Sequence, residues 1–204
     1  MYIPKSFAET DTPTLYQFMR DHNFASFITH GGSLIASHLP FMVDAERGVL
    51  KAHLARANPQ WKTFDGSEAL VIFQGPHAYV SPTWYEAHPS VPTWNYTTVH
   101  VYGVPQIIQD ADAIHEALSE LVENHEHGRN PEWEMHLPED YYAKMVQSLV
   151  VFEVPMTRVE GKFKLSQNRS EADQESVIAH LSQSPYPIEV ETAQLSASRR
   201  ASHS

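Results

Sequence analysis

The chain has 204 residues, with 25 Asp and Glu against 14 Lys and Arg, a formal net charge of −11, and no cysteine. That length allows one ordinary domain with a real core, and the missing cysteines exclude disulfides, thiolate metal sites and cysteine nucleophiles. Nucleic-acid binding depends on cations that neutralise phosphates, so direct DNA binding is expected to be weak or absent, and any anionic ligand must be held by a small set of cations.

No run of eighteen apolar residues occurs, so no membrane-spanning helix is expected. The start, MYIPKSFAETDTPTLYQF, lacks the basic, apolar and small-residue sections of a secretory leader. With the absence of cysteine, this fits a cytoplasmic protein.

In chain order, Thr12 followed by Pro13 reads as a helix cap and first turn. Leu15, Phe18, Met19 and His22 follow at helical spacing and predict a helix over 12–23. The period then changes: FASFITH (24–30) and SLIASHLPFMV (33–43) read as two strands joined by a turn at Gly31 and Gly32. DAERG (44–48) is a turn, VLKAHLA (49–55) a third strand, and NPQWKTF (58–64) a loop or short helix. ALVIFQG (69–75) is continuously apolar and reads as a strand buried on both faces, before Gly75-Pro76 leads into HAYVSP. Prolines 82, 89 and 92 break the next stretch, 94–103 resumes as a strand, and VPQIIQD (104–110) extends the sheet.

Asp110 or Asp112 can cap a helix that carries Ile114, Leu118, Leu121 and Val122 on one face and ends before Gly128. A polar connection leads to a helix over 139–148, then LVVFEVPMTRVEG (149–161) reads as a last long strand. SEADQESVIAHLSQS (170–184) is helical, with Ile178 and Leu181 as docking contacts, and residues 186–204 lack apolar periodicity and read as a frayed tail. Strands that come mostly in hairpins, without alternating helical crossovers, predict a mainly β domain with peripheral helices over 1–185. The expected form is a small antiparallel barrel, closed or partly closed.

Thirteen histidines invite a metal reading. His125 and His127 flank Glu126, but ligands two apart suit a strand and this is a helix end, so surface or hydrogen-bonded histidine is the plainer reading and no metal is expected. Neither a GxSxG elbow nor a GxxxxGK[ST] phosphate loop occurs. KAHLARANPQWK (51–62) carries more: His53 and Ala55 share one side of a strand, and Arg56, Asn58, Gln60, Trp61 and Lys62 cluster at its exit. Arg56 suits a bidentate phosphate contact, with Lys62 as a point charge and Asn58 as a hydrogen-bond partner; a capped strand end with solvated charges explains the same residues. Trp84 and Trp94 either fill a barrel mouth or dimer interface, or wall a planar ligand with Asn95 and His100 nearby.

SHLPF (37–41), HLARANPQW (53–61), IFQGPHAYVSPTWY (72–85), VPTWNYTTVHVYG (91–103) and KFKLSQNR (162–169), in this order and spacing, resemble the PaiB family of FMN-binding negative transcriptional regulators. The resemblance covers nearly the whole chain, to about residue 185. It implies the FMN-binding split barrel shared with pyridoxamine phosphate oxidases, FMN as cofactor, and a homodimer with its two flavin sites at the subunit interface. In such barrels the second and third strands and the following turn hold the flavin and its phosphate. The resemblance therefore implies Ser37, His38, Leu39 and Pro40, then His53, Ala55, Arg56, Asn58, Trp61 and Lys62. Trp94 and Asn95 would come from the partner subunit and close over the ring, with Lys164, Gln167 and Asn168 as a further edge. The implied role is a negative regulator of degradative-enzyme and sporulation genes that acts without strong direct DNA binding. A flavin-dependent oxidoreductase acting on a small molecule is the alternative, and a flavin-binding or storage module without turnover is the third reading.

Overall fold

A computed structural model describes residues 1–201. The chain is mainly sheet with helices, and it divides into two compact units: Met1–Phe18, Gln74–Val99 and the chain from Glu160 onward, and Met19–Phe73 with His100–Val159. Among the described residues, no helix is long and apolar enough to cross a membrane.

The strands are β1 (Ala8–Glu9), β2 (Phe24–His30), β3 (Leu34–Pro40), β4 (Met42–Asp44), β5 (Val49–Ala55), β6 (Ala69–Val80), β7 (Thr93–Gly103), β8 (Gln106–Ile107), β9 (Leu149–Pro155) and β10 (Arg158–Lys164). The helices are α1 (Thr12–Asp21), α2 (Ala111–Glu126), α3 (Glu139–Gln147), α4 (Glu171–Ser182) and α5 (Pro187–Ala201). Hydrogen bonding sorts the strands into a six-stranded sheet ordered β1-β10-β7-β6-β2-β3 and a four-stranded sheet ordered β4-β5-β9-β8.

Alternation drives the second unit. Ala25, Phe27 and Thr29 of β2 point into the core, while β3 pairs with β2 from Phe24↔Pro40 to His30↔Leu34 across the glycine turn, where Gly32 adopts φ +86°. Residues 33–43 do not form one strand, as the sequence suggested. Pro40 has no N–H to continue the ladder, the Phe41 amide turns to the Asn23 carbonyl at 2.9 Å, and the chain re-enters the other sheet as β4. Phe41 becomes a core residue between Phe27 and Phe73, each at 6.0 Å, and Phe27 stacks on Phe152 at 5.1 Å. Residues 149–161 likewise split into β9 and β10, because the chain turns after Pro155 and the Thr157 amide bonds to the Tyr102 carbonyl. Lys51, buried in β5, donates to Glu120 at 2.9 Å with Asp44 at 3.4 Å. Burial opposes its charge, and the two carboxylates still hold its pKa above the ordinary lysine value.

In the first unit the cap of α1 is Asp11 rather than Thr12, its carboxylate accepting from the Thr14 amide at 2.9 Å. β6 runs on through Gly75-Pro76 to Val80, and its burial alternates, so 69–75 is not buried on both faces as expected. Glycine is required at two positions. A Cβ on Gly75 would lie 2.6 Å from the Phe18 ring, and one on Gly161 would lie 2.3 Å from the Leu15 side chain. Ala78, Val80 and Tyr85 pack with Val177 and Leu181 of α4 and Ala193 of α5. The expected frayed tail is therefore corrected: 187–201 form a helix whose buried face is Thr192, Ala193 and Ser196, small residues that give no hydrophobic period. The last three residues of that expectation, 202–204, lie outside the described residues.

Candidate functional site

Two groups of side chains gather the residues singled out in the sequence, one in each unit. In the second unit, β5 exits into a 3-10 turn, Pro59–Thr63, whose cap is Asn58. Asn58 Oδ1 accepts from the Gln60 amide at 3.0 Å and Nδ2 donates to Ser37 Oγ on β3 at 2.9 Å. One carboxamide thus joins the two segments that the sequence pointed to. Trp61 Nε1 donates to the Arg56 carbonyl at 3.0 Å, and Lys62 Nζ lies 5.8 Å from the Trp61 ring centre.

Arg56 has a double role. Its Nε donates to the Gln147 carbonyl at 2.7 Å and Nη2 to the Leu149 carbonyl at 2.6 Å, fixing the end of α3 to the start of β9. The guanidinium is exposed, and Nη1 makes no hydrogen bond among the described residues. It is a cation held at a fixed angle by one edge of its fork. His38 is exposed, with Nδ1 3.1 Å from Ser26 Oγ, whereas Leu39 and Pro40 are half-buried and Ala55 is exposed. His53 departs from the group: with Met42, Leu118 and Leu121 it lines a small cavity beneath α2. Burial holds its pKa below the ordinary histidine value, which favours neutral imidazole and makes it a poor seat for an anion.

In the first unit, Trp94 and Tyr79 stand on neighbouring strands with ring centres 6.0 Å apart, and His77 lies 6.3 Å from Trp94. Trp94 is 54% exposed, so this aromatic face is open. Lys164 Nζ donates to Thr93 Oγ1 at 2.7 Å and to the Trp94 carbonyl. Burial first, then the Lys162 and Arg169 charges, hold Lys164 below the ordinary lysine pKa. Asn95, next along β7, points the other way and is fully buried; its amide exchanges hydrogen bonds with the Ser166 hydroxyl at 3.0 and 3.2 Å. Ser166 sits in the left-handed region at φ 69°, and this contact helps to hold it there. Gln167 folds back on its own turn, accepting from the Leu165 amide and donating to the Phe163 carbonyl, and Asn168 is exposed beside it.

Trp84 does not join Trp94. It stacks on His180 of α4 at 5.1 Å and 12°. The proline-bearing stretch between them is tied down by Asp173, whose carboxylate accepts from the Glu86 amide at 2.8 Å and the Ala87 amide at 3.4 Å, and by Arg169, 4.1 Å above the Tyr85 ring. Asp173, Arg169, Ser166, Tyr79 and His77 were missed in the sequence, whereas Gln60, read there as part of the strand-exit cluster, is wholly buried and donates to the Phe27 and Ile35 carbonyls. The spacing of Tyr79 and His77, alternate residues on a strand, was the one signal available for them. His125 bonds the Leu121 carbonyl through Nδ1 and Asn23 through Nε2, so both ring nitrogens are structural.

The sequence matches the family described as "Putative FMN-binding domain" over residues 1–158. It is 37% identical over 201 residues to the "Protease synthase and sporulation protein PAI 2" of Bacillus subtilis, covering 96% of each chain. Among solved structures it is similar to the flavocytochrome Anf3 from Azotobacter vinelandii (TM-score 0.67, 16% identity, 85% of this chain and 78% of that one). It is also similar to an FAD and heme binding protein from Mycobacterium smegmatis (TM-score 0.63, 16% identity, 83% and 78%). At such identities these two likenesses speak for the fold alone. The sequence match goes further: the chain belongs to the PaiB-type FMN-binding domain family, whose cofactor is a flavin.

Proposed function

We propose that this protein is an FMN-binding, sporulation-related negative regulator of degradative-enzyme genes, built on a split barrel, which acts through its flavin state without strong direct DNA binding of its own. The observation that carries the flavin part is the open Trp94–Tyr79 face with Lys164 fixed at its edge. The residues present fit the group. The first unit offers aromatic surface and N–H donors of the kind a planar ring system needs, and the second offers a cation of the kind a phosphate needs, Arg56, held in place with Lys62 nearby in sequence. When bound, the flavin supplies redox chemistry; the protein's own residues bind and orient it. The sporulation part rests on the name of the Bacillus relative and the negative-regulator part on the family resemblance, and the net charge of −11 favours an indirect route to the genes.

The protein is proposed to act as a homodimer with its flavin sites at the subunit interface. Phe24 and Leu34 are 68% and 76% exposed, and no residue of β3 is fully buried, an unusual state for an apolar strand. A flavin-dependent oxidoreductase acting on a small molecule is the second reading, favoured by Lys164, an ammonium at the edge of the open Trp94 face that could hold charge on a bound ring. Titration of the purified protein with FMN, followed by flavin and tryptophan fluorescence, tests the flavin site; unchanged emission from both would remove it. Light scattering at a mass near 23.1 kDa at micromolar concentration would remove the dimer.

A further inference from the structure

In the first unit, a cavity of about 310 Å³ opens between the Ser6–Ala8 segment, the turn after β10 and the last turn of α5. That volume falls at the small end of small-molecule sites. Its polar wall is Ser6, Gln167, Gln174, Ser196, Arg199 and Arg200, and among the described residues the two arginines are its only charged lining residues. In a chain with a net charge of −11, two guanidiniums in one cavity wall concentrate scarce positive charge, and the carboxylates that pair with them, Glu9 and Glu175, are not among its described lining residues.

Neighbouring contacts give this wall a fixed shape. Gln174 Nε2 donates to the Arg169 carbonyl at 2.9 Å, and Ser196 Oγ to the Thr192 carbonyl at 2.7 Å. Arg199 bonds the buried carboxylate of Glu9 and lies 4.7 Å from the Phe163 ring centre, so its position is set from behind. Arg200 differs. One of its contacts, to Glu175 at 2.9 Å, is with a side chain that is 67% exposed, and a solvent-screened pair of this kind is weak enough for a better-placed anion to compete with it.

We propose that this cavity is a binding site for a small phosphate-bearing anion, distinct from the Trp94–Tyr79 face and independent of the flavin reading, with Gln167 assigned to its wall instead of to the flavin's edge. Arg200 is the exchangeable contact, passing from Glu175 to the ligand, and Arg199 is the fixed one. Free phosphate and a phosphate ester share this chemistry, and so does the phosphate of FMN itself.

The test is titration of the full chain with inorganic phosphate at constant ionic strength set by KCl, read by calorimetry and by thermal unfolding. Saturable binding is expected, weakened about tenfold in Arg200→Gln and strengthened in Glu175→Gln, which removes a carboxylate that competes for Arg200. Arg200→Gln touches an exposed pair, so circular dichroism should match the parent. FMN and riboflavin are titrated in parallel, and Arg200→Gln is expected to leave both affinities as they were. No saturable phosphate effect, or equal phosphate affinity in all three proteins, overturns the site. A loss of FMN but not riboflavin in Arg200→Gln overturns its separateness, because the cavity would then seat the flavin's own phosphate.

Discussion

Replacing Arg56 with alanine separates two things that this side chain does at once. Its Nε and Nη2 hold the Gln147 and Leu149 carbonyls at 2.7 and 2.6 Å, and their loss leaves two carbonyls to water at an exposed site. At about 1 kcal/mol for each exposed contact, Arg56→Ala should lower unfolding free energy by about 2 kcal/mol, read as a shift in the urea midpoint. If the opposite side of the same guanidinium seats the flavin phosphate, FMN should weaken by a further ~1.5–3 kcal/mol, roughly ten- to a hundredfold, while riboflavin is spared. Arg56→Lys keeps the charge but not the planar fork, so it should recover part of the FMN affinity and little of the stability. Both titrations belong at a urea-free temperature where dichroism shows each variant folded. Equal loss of FMN and riboflavin in Arg56→Ala would mean that Arg56 is a strand-to-helix tie and that the phosphate lies elsewhere.

Asp173→Ala leaves the Glu86 and Ala87 amides without their buried acceptor and should cost about 1–3 kcal/mol, with Trp84 emission shifting red as its loop loosens; an unchanged urea midpoint would count against the tie. His53 sets a pH dependence. Its folded pKa lies below the unfolded value of 6.5, so below that value the unfolded chain binds more protons and stability falls as the solution is acidified toward the folded pKa. His53→Gln should flatten the urea-midpoint profile over that range, and a variant profile that overlays the parent's would show that His53 is not its source. Trp94→Ala should weaken FMN and riboflavin alike, because a ring contact does not involve the phosphate; selective loss of FMN would contradict a ring-facing role.

The alternating stretches were legible because their chemistry is local. β2, β5 and β7 declared themselves by period, and the α2 cap was narrowed to Asp110 or Asp112, of which Asp110 accepts from the Ala113 amide. The breaks were not, since the switch of sheet at Phe41 and the turn after Pro155 depend on which distant carbonyl receives an amide. α5 was missed for a different reason: close packing of Thr192, Ala193 and Ser196 substitutes for the large apolar residues a periodicity search weighs. At the candidate site the residue types were readable but their commitments were not. Arg56, Gln167 and Lys164 all looked available for a ligand, and each spends hydrogen bonds on the protein's own backbone.

Asn95 shows what such commitments accomplish. The alternation of β7 sends Trp94 outward, so its neighbour must face inward, where a carboxamide without partners would be costly. Ser166 meets both ends of that amide, and doing so holds the chain after β10 in a left-handed turn. The turn begins two residues after Lys164, whose ammonium reaches back to the Trp94 carbonyl. One inward residue therefore fixes the distance between an outward ring and a partly buried cation. Asn95 is better understood as a pin for the Trp94–Lys164 edge than as a contact to the flavin. On this view the two tryptophans divide the labour of the proline-bearing stretch: Trp84 docks it on α4, and Trp94 is the ring it leaves exposed.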